Sequence, residues 1–183
     1  LRLAVIDIGS EALGEDLHIQ DLRLSLFPVG VEIRGIKVYS RDPLRPGQEI
    51  LSVDWVGIDR PHFEGPRRLV IDRIELQHPD VRLRIANGEL RDFPGLLGGG
   101  GGDPVLSTHV GKLIVEDGDV AVTVDRPDTS LQLQGLRVEF VTTGDQDADA
   151  DVSVQDASLR LGPVEERLRL ESGRLKRSGD RLT

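Results

Sequence analysis

The sequence predicts an all-β protein, a long antiparallel meander of about 11–12 bulged strands curled into an open groove with an apolar concave face. Three observations predict it. An eight-residue pattern (apolar, x, apolar, x, x, apolar, x, apolar) returns seven times along the 183 residues. Turn signals rich in Gly, Pro, Asn and Asp separate the copies. Aromatic residues are only 3% of the chain against 38% hydrophobic, so the apolar surface is nearly all Leu, Val and Ile. That composition suits a long one-sided sheet better than a thick core filled by rings.

The clear copies are Leu17·Ile19··Leu22·Leu24, Val31·Ile33··Ile36·Val38, Leu51·Val53··Val56·Ile58, Leu69·Ile71··Ile74·Leu76 and Leu131·Leu133··Leu136·Val138. Thr108·Val110··Leu113·Val115 and Val152·Val154··Ala157·Leu159 are weaker. On a helix the four apolar positions scatter around the cylinder, so no helical face results. On a strand each outer pair shares a face, and the two-residue step between the pairs breaks that parity. A β-bulge at the step restores it, because two residues of the bulged strand then oppose one on the neighbour. Six of the seven steps hold only polar residues or Gly; the seventh is Asp54-Trp55.

In chain order, Leu1 to Ile8 reads as a strand, Gly9 to Asp16 as a loop and Leu17 to Leu26 as a long strand. Pro28-Val29-Gly30 reads as a tight turn with Pro in its first central position. Val31 to Tyr39 returns antiparallel. The Pro-rich stretch from Arg41 to Gln48 is a loop, and Glu49 to Ile58 is the next strand. Arg68 to Gln77 and Val81 to Ala86 read as a hairpin around His78-Pro79-Asp80, with Asn87-Gly88 as a further turn. Phe93, Leu96 and Leu97 form a short apolar group before a glycine run at 98–102. Leu106 to Glu116 and Asp119 to Asp125 read as a hairpin around Asp117-Gly118. Ser130 to Thr142 is a long strand, and 143–150 an acidic loop. Asp151 to Leu161 and Val164 to Leu170 pair around Gly162-Pro163, and a last strand starts near Arg174-Leu175. The resulting division is a β-groove segment at 1–94, a Gly-rich linker or loop at 95–104, and a continuing segment at 105–183.

Composition excludes several classes. A net charge of −9 disfavours nucleic acid and broad docking on anionic membranes. Without cysteine there are no disulfides, thiolate metal sites or thiol nucleophiles. No apolar run reaches the roughly 18 residues that span a bilayer. The chain starts inside an apparent strand and reads as an excerpt of a longer protein.

Catalytic patterns are missing. His18, His62, His78 and His109 stand in unrelated contexts, outside any ligand motif. Asp145-x-Asp147-x-Asp149 has the opening of a calcium loop without its glycine or closing glutamate. The glycine run precedes no Gly-Lys-Ser/Thr, so it is no phosphate cradle. Ser107, Ser130 and Ser153 lack a nucleophile elbow. Glu165 and Glu166 are adjacent and face opposite sides of a strand. Trp55, at the parity step of its strand, reads as a packing residue. The expectation is a non-enzyme with no cofactor and no metal.

Four stretches carry a family resemblance: Ile19–Pro28 (IQDLRLSLFP), Gly30–Val38 (GVEIRGIKV), Ile50–Val56 (ILSVDWV) and Ile71–Leu83 (IDRIELQHPDVRL). In that order they resemble the region after the membrane anchor in AsmA-like and TamB-like envelope proteins of Gram-negative bacteria. Asn87-Gly88-Glu89 stands where the family has a short turn but lacks the asparagine usual after it. The second half matches only through the generic repeat. The resemblance implies a groove for phospholipid acyl chains in a periplasmic protein tethered to the inner membrane. Its anchor is then expected outside this excerpt, and outer-membrane assembly proteins are implied as further partners. The implied lipid-contacting residues are the apolar positions of the repeat: Leu17, Ile19, Leu22, Leu24, Val31, Ile33, Ile36, Val38, Leu51, Val53, Val56, Ile58, Leu69, Ile71, Ile74, Leu76, Val110, Leu113, Val115, Leu131, Leu133, Leu136 and Val138. Two alternatives stay open: a scaffold that templates outer-membrane strands by β-augmentation, and a plain β-sandwich binding module. In the sandwich the same residues are ordinary core.

Overall fold

A computed structural model describes residues 2–65, 68–93, 107–125, 127–142, 148–168, 173–178 and 181–182. The described residues form one helix and a single sheet. Helix α1 is Arg2–Leu13. The strands are β1 (Asp16–Leu26), β2 (Val29–Tyr39), β3 (Glu49–Asp59), β4 (His62–Phe63), β5 (Arg68–Gln77), β6 (Asp80–Ala86), β7 (Glu89–Leu90), β8 (Ser107–Val124), β9 (Thr129–Thr142), β10 (Ala148–Ser153), β11 (Asp156–Leu161), β12 (Val164–Leu168), β13 (Gly173–Ser178) and β14 (Arg181–Leu182).

The expected strand at Leu1 to Ile8 is instead the start of α1. Val5, Ile6, Gly9, Ser10 and Leu13 are half-buried, while Arg2, Leu3, Ala4, Asp7, Glu11 and Ala12 are exposed. That spacing is one helical face. A short apolar run at period 2 is ambiguous, and here the helical period prevails. Gly14 ends the helix with φ +73°, and its N–H donates to the Ser10 carbonyl at 3.0 Å, an αL C-cap.

Helix α1 lies along β1, the edge strand of the sheet. The Leu17 N–H donates to Ser10 Oγ at 3.0 Å, and Arg2 Nη1 donates to the Gln20 carbonyl at 2.8 Å. The helix thus covers the first half of an edge that would otherwise template foreign strands. Gly9 permits the approach, since a Cβ there would stand 2.5 Å from Leu17 Cδ2.

Strands β1, β2 and β3 pair antiparallel as expected. The first turn differs: Leu26 pairs with Val29, so its central residues are Phe27-Pro28, joined by a cis peptide, and Pro takes the second position.

Both internal hairpins are corrected. β5 and β6 run end to end along β3, in one continuous register through His78 and Pro79. β8 is one 18-residue strand that passes through Asp117-Gly118. It pairs parallel with both β5 and β6, from Arg68↔Ser107 to Ile85↔Val124. The sheet is therefore not a pure antiparallel meander. Turn-forming residues inside a strand flip the chain locally, but pairing with a neighbour on both sides of the flip keeps it straight. His78 and Asp117 have φ of +50° and +51°, the conformation that made each resemble a turn. β10 and β11 likewise run end to end along β9, and β11–β12 forms the expected hairpin at Gly162-Pro163. β13 confirms the strand expected near Arg174-Leu175.

The bulges expected at the two-residue steps are met in part: β9 carries an extra residue at Gln134-Gly135, between Leu136↔Gly118 and Leu133↔Val120, and β3 carries one at Ile50, away from its step, but the β1–β2 pair has none. Between β1 and β2 the register is identical on both sides of Gln20 and Gly35, with Ile19↔Ile36 and Asp21↔Arg34. These two strands break parity at the same level, so neither carries an extra residue there. A bulge on each strand against a straight neighbour would slip the register cumulatively, and aligned breaks avoid that. Gly35 and Gly135 adopt φ of +61° and +62° at this level. Each is covered by a glutamine of the adjoining strand line, Gln20 and Gln155, whose side chains would stand 2.5–2.8 Å from an added Cβ. Of the expected loops and linker, residues 94–106 and 143–147 lie outside the described residues, including Leu96, Leu97 and the glycine run.

Candidate functional site: apolar rows across the sheet

Directly opposed residues on neighbouring strands share a face, and the registers align the repeat into rows perpendicular to the strands. One row is Leu24–Val31–Ile58–Ile74–Leu113–Phe140–Ala150. The next is Leu22–Ile33–Val56–Leu76–Val115–Val138–Val152. Beyond the parity break lie Ile19–Ile36–Val53 and Leu17–Val38–Leu51–Val81–Val120–Leu133–Ala157. Leu83, Val122, Leu131 and Leu159 make a further row. Leu136 stands opposite Gly118. Leu69, Ile71 and Val110 extend the β5–β8 pair past the end of β3.

The structure therefore brings the sequence-nominated residues onto shared rows. Ile19, Val38, Val53, Val56 and Ile71 are buried, Leu24 is exposed, and the others are half-buried. Sequence reasoning omitted Val81, Leu83, Val120, Val122 and Phe140 from the rows. The alternations Val81·Leu83·Ile85 and Val120·Val122·Val124 carried that signal, but they were assigned to hairpin arms.

The stack of rows is closed at one end of the strands. Val38 and Ile50 have no exposed surface, and Phe93 packs on them at 8% exposure, with Leu13, Leu17, Leu51 and Leu83 around them. Two buried carboxylates fix this end. Glu15 accepts from the backbone N–H of Arg41 at 2.6 Å and of Phe93 at 3.4 Å. Asp92 accepts from the Arg84 N–H at 2.6 Å and from Arg45 Nη2 at 2.5 Å. Phe93 is thus seated over the sheet by its own N–H on Glu15 and by the hydrogen bonds of the preceding Asp92. A cavity of about 620 Å³ beside this knot is lined by Arg41, Asp42, Arg84, Arg91 and Asp125 among others. Arg84 there is doubly bonded to Asp125 at 2.6–2.8 Å, which holds its pKa above the ordinary arginine value.

The opposite face is polar. His18, Arg23, Glu32, Arg34 and Lys37 are exposed. Ion pairs tie it together: Lys37–Glu49 at 2.9 Å, Arg82–Asp80 at 2.6 Å and Lys112–Glu139 at 2.6 Å. The hydrogen bond to Glu49 raises the Lys37 pKa. Trp55 lies on this face with its indole over Gly57, a packing role as expected. His18 stacks edge-on to Tyr39, His62 contacts the Arg60 carbonyl and His78 reaches Asp54 at 3.5 Å.

Among the described residues no three His, Asp or Glu side chains gather as a metal site. None of their helices is long and apolar enough to cross a membrane. No family model and no curated protein matches the chain.

Proposed function

We propose that this chain is a segment of an AsmA/TamB-like protein of the Gram-negative periplasm, tethered to the inner membrane, that shields acyl chains on its apolar rows as phospholipids move between membranes. The observation that carries this reading is the pair of rows from Leu24 to Ala150 and from Leu22 to Val152. They cross the sheet without a polar interruption, and most of their side chains are only half-buried. In a closed β-sandwich the same positions would interdigitate with a second sheet and be buried. All described strands belong to one sheet, and the cover at the closed end comes from α1 and Phe93.

The mechanism is passive and needs neither catalyst nor cofactor. Tails lie along the rows while head groups stay in water. Each methylene kept from water is worth about 0.8 kcal/mol, so a continuous apolar track removes most of the cost of carrying a tail between bilayers. The test is mass spectrometry of phospholipid retained by the purified protein, wild type against Ile33→Asp with Leu76→Asp. Wild type should carry lipid and the double variant little. A folded wild type that retains none after incubation with phospholipid would falsify the reading.

A second reading, a scaffold for outer-membrane strands, draws on β1. Its edge is covered by α1 over Leu17–Gln20, leaving Leu22–Leu26 as the stretch available for β-augmentation. Under it, proline at an edge N–H should matter more than charge on the rows.

A further inference from the structure

The β1–β2 turn lies just beyond the Leu24–Ala150 row, at the end of the strands, and forms an exposed apolar tip. Leu24, Leu26, Phe27 and Val29 are 58%, 86%, 98% and 50% exposed. From Leu24 to Gly30 there is no charged residue, in a chain that is 30% charged. At the same end of the sheet, where the Arg60 N–H donates to the Val29 carbonyl at 2.9 Å, Phe63 is also exposed, at 65%. We propose that this tip inserts into the headgroup–acyl boundary of a phospholipid bilayer and hands tails to the rows. The proposal rests on the lipid-carrying reading and names where the lipid enters.

Two arguments choose a bilayer over a second protein copy. A tip of about seven residues falls far short of the roughly 20–30 residues a side of a stable protein interface. A bilayer needs no complementary shape, and an amphipathic element enters it by apolar area alone. Continuity supplies the second. Leu24 and Val31 directly follow the tip, then Leu22 and Ile33, then Ile19 and Ile36. A tail leaving the bilayer at Phe27 meets apolar surface at each step toward the closed end. The other end is unlike it: exposed Leu161 and Val164 flank one turn and Leu44 stands in another loop, with no exposed aromatic among them. Net charge of −9 makes the insertion apolar and not electrostatic, so zwitterionic lipid suffices.

The absence of cysteine permits a single label. Ser25→Cys carrying an environment-sensitive fluorophore keeps Leu26 and Phe27 in place, and Leu44→Cys is the control at the opposite end. With phosphatidylcholine vesicles, emission at position 25 should rise roughly threefold or more and be quenched by lipids spin-labelled near the headgroup. Position 44 should not respond. Phe27→Ser on the Ser25→Cys background should remove most of the rise and slow uptake of fluorescent lipid from vesicles. It should leave unchanged both the thermal midpoint and the amount of free fatty acid bound without vesicles. No rise at position 25, an equal rise at 44, or a rise that follows protein concentration without vesicles (a second copy) overturns the proposal. If fatty acid binds but position 25 stays silent, insertion fails and the groove stands. If position 25 inserts but no fatty acid binds, the groove fails and insertion stands.

Discussion

The two ends of the stack of apolar rows, taken along the strands, are made from the same repeat and meet opposite environments. At one end Val38 is fully buried, while at the other Leu24 is 58% exposed, although both are apolar positions of one hairpin. The repeat fixes which face is apolar. What the chain lays across that face fixes what is buried. Here the cover is the C-terminal turn of α1 and a single ring, Phe93, pinned by Glu15 and Asp92.

The largest expected effect tests that division directly. Phe93→Ala opens a cavity over Val38 and Ile50 and should cost about 3–5 kcal/mol in chemical denaturation. Leu24→Ala removes a side chain already in water and should stay within about 0.5 kcal/mol. Similar losses at both positions would mean that the rim is covered in solution and would abolish the contrast.

Much of the sheet was legible in the sequence because period 2 with a fixed mid-strand step leaves few alternatives. β1, β2, β3 and β9 stand close to where the pattern put them. The failures share a cause. His78-Pro79-Asp80 and Asp117-Gly118 carry genuine turn chemistry, and both do adopt positive φ. Whether such a flip reverses the chain depends on pairing with strands distant in sequence. β3 holds β5 and β6 in line through the first flip, and β9 holds β8 through the second. Helix α1 was missed for a related reason: its apolar residues satisfy both periods, and the helical face shows only against β1. The candidate rows were legible for the residues of the repeat but not for Val81, Leu83, Val120, Val122 and Phe140, which the pairing of β6 and β8 and the end of β9 supply. The two unlike ends were not legible either, since Phe93 reaches Val38 across more than fifty residues of sequence.

A middle-sized effect probes the joint between the ends. Gly35 sits at the parity break, and its conformation keeps Val31 and Ile33 on the face of Ile36 and Val38. Gly35→Ala puts an L residue at φ +61°, worth roughly 1–2 kcal/mol. Its Cβ would also stand 2.6 Å from Gln20 Oε1 and 2.8 Å from Gln20 Cβ, and the latter cannot swing away. Gly88→Ala is the reference, at φ +79° with open space around it. It should cost the conformational strain alone. Gly35→Ala should therefore be the more destabilising by denaturation and should perturb Gln20 amide shifts. Equal costs would show that the glutamine cover yields freely and that the two ends are joined loosely.

The smallest effect concerns the polar face behind the closed end. Lys37 donates to Glu49 at 2.9 Å, and that hydrogen bond, with the charge of Glu49, raises its pKa above the ordinary 10.5. A raised lysine pKa means that the folded state holds its proton more tightly than the unfolded one. The stabilisation is therefore full below pH 10.5 and is lost as pH rises through the folded value. Glu49→Gln should return Lys37 toward 10.5, read from its side-chain NMR titration. The small stability gap between wild type and variant should close at higher pH. Lys37 is solvent-exposed, so water screens most of the pair's attraction, and this face should contribute far less than Phe93 does on the other side of the same strands. A gap that persists undiminished well above pH 10.5 would assign the stabilisation to Glu49 packing instead of to the ion pair.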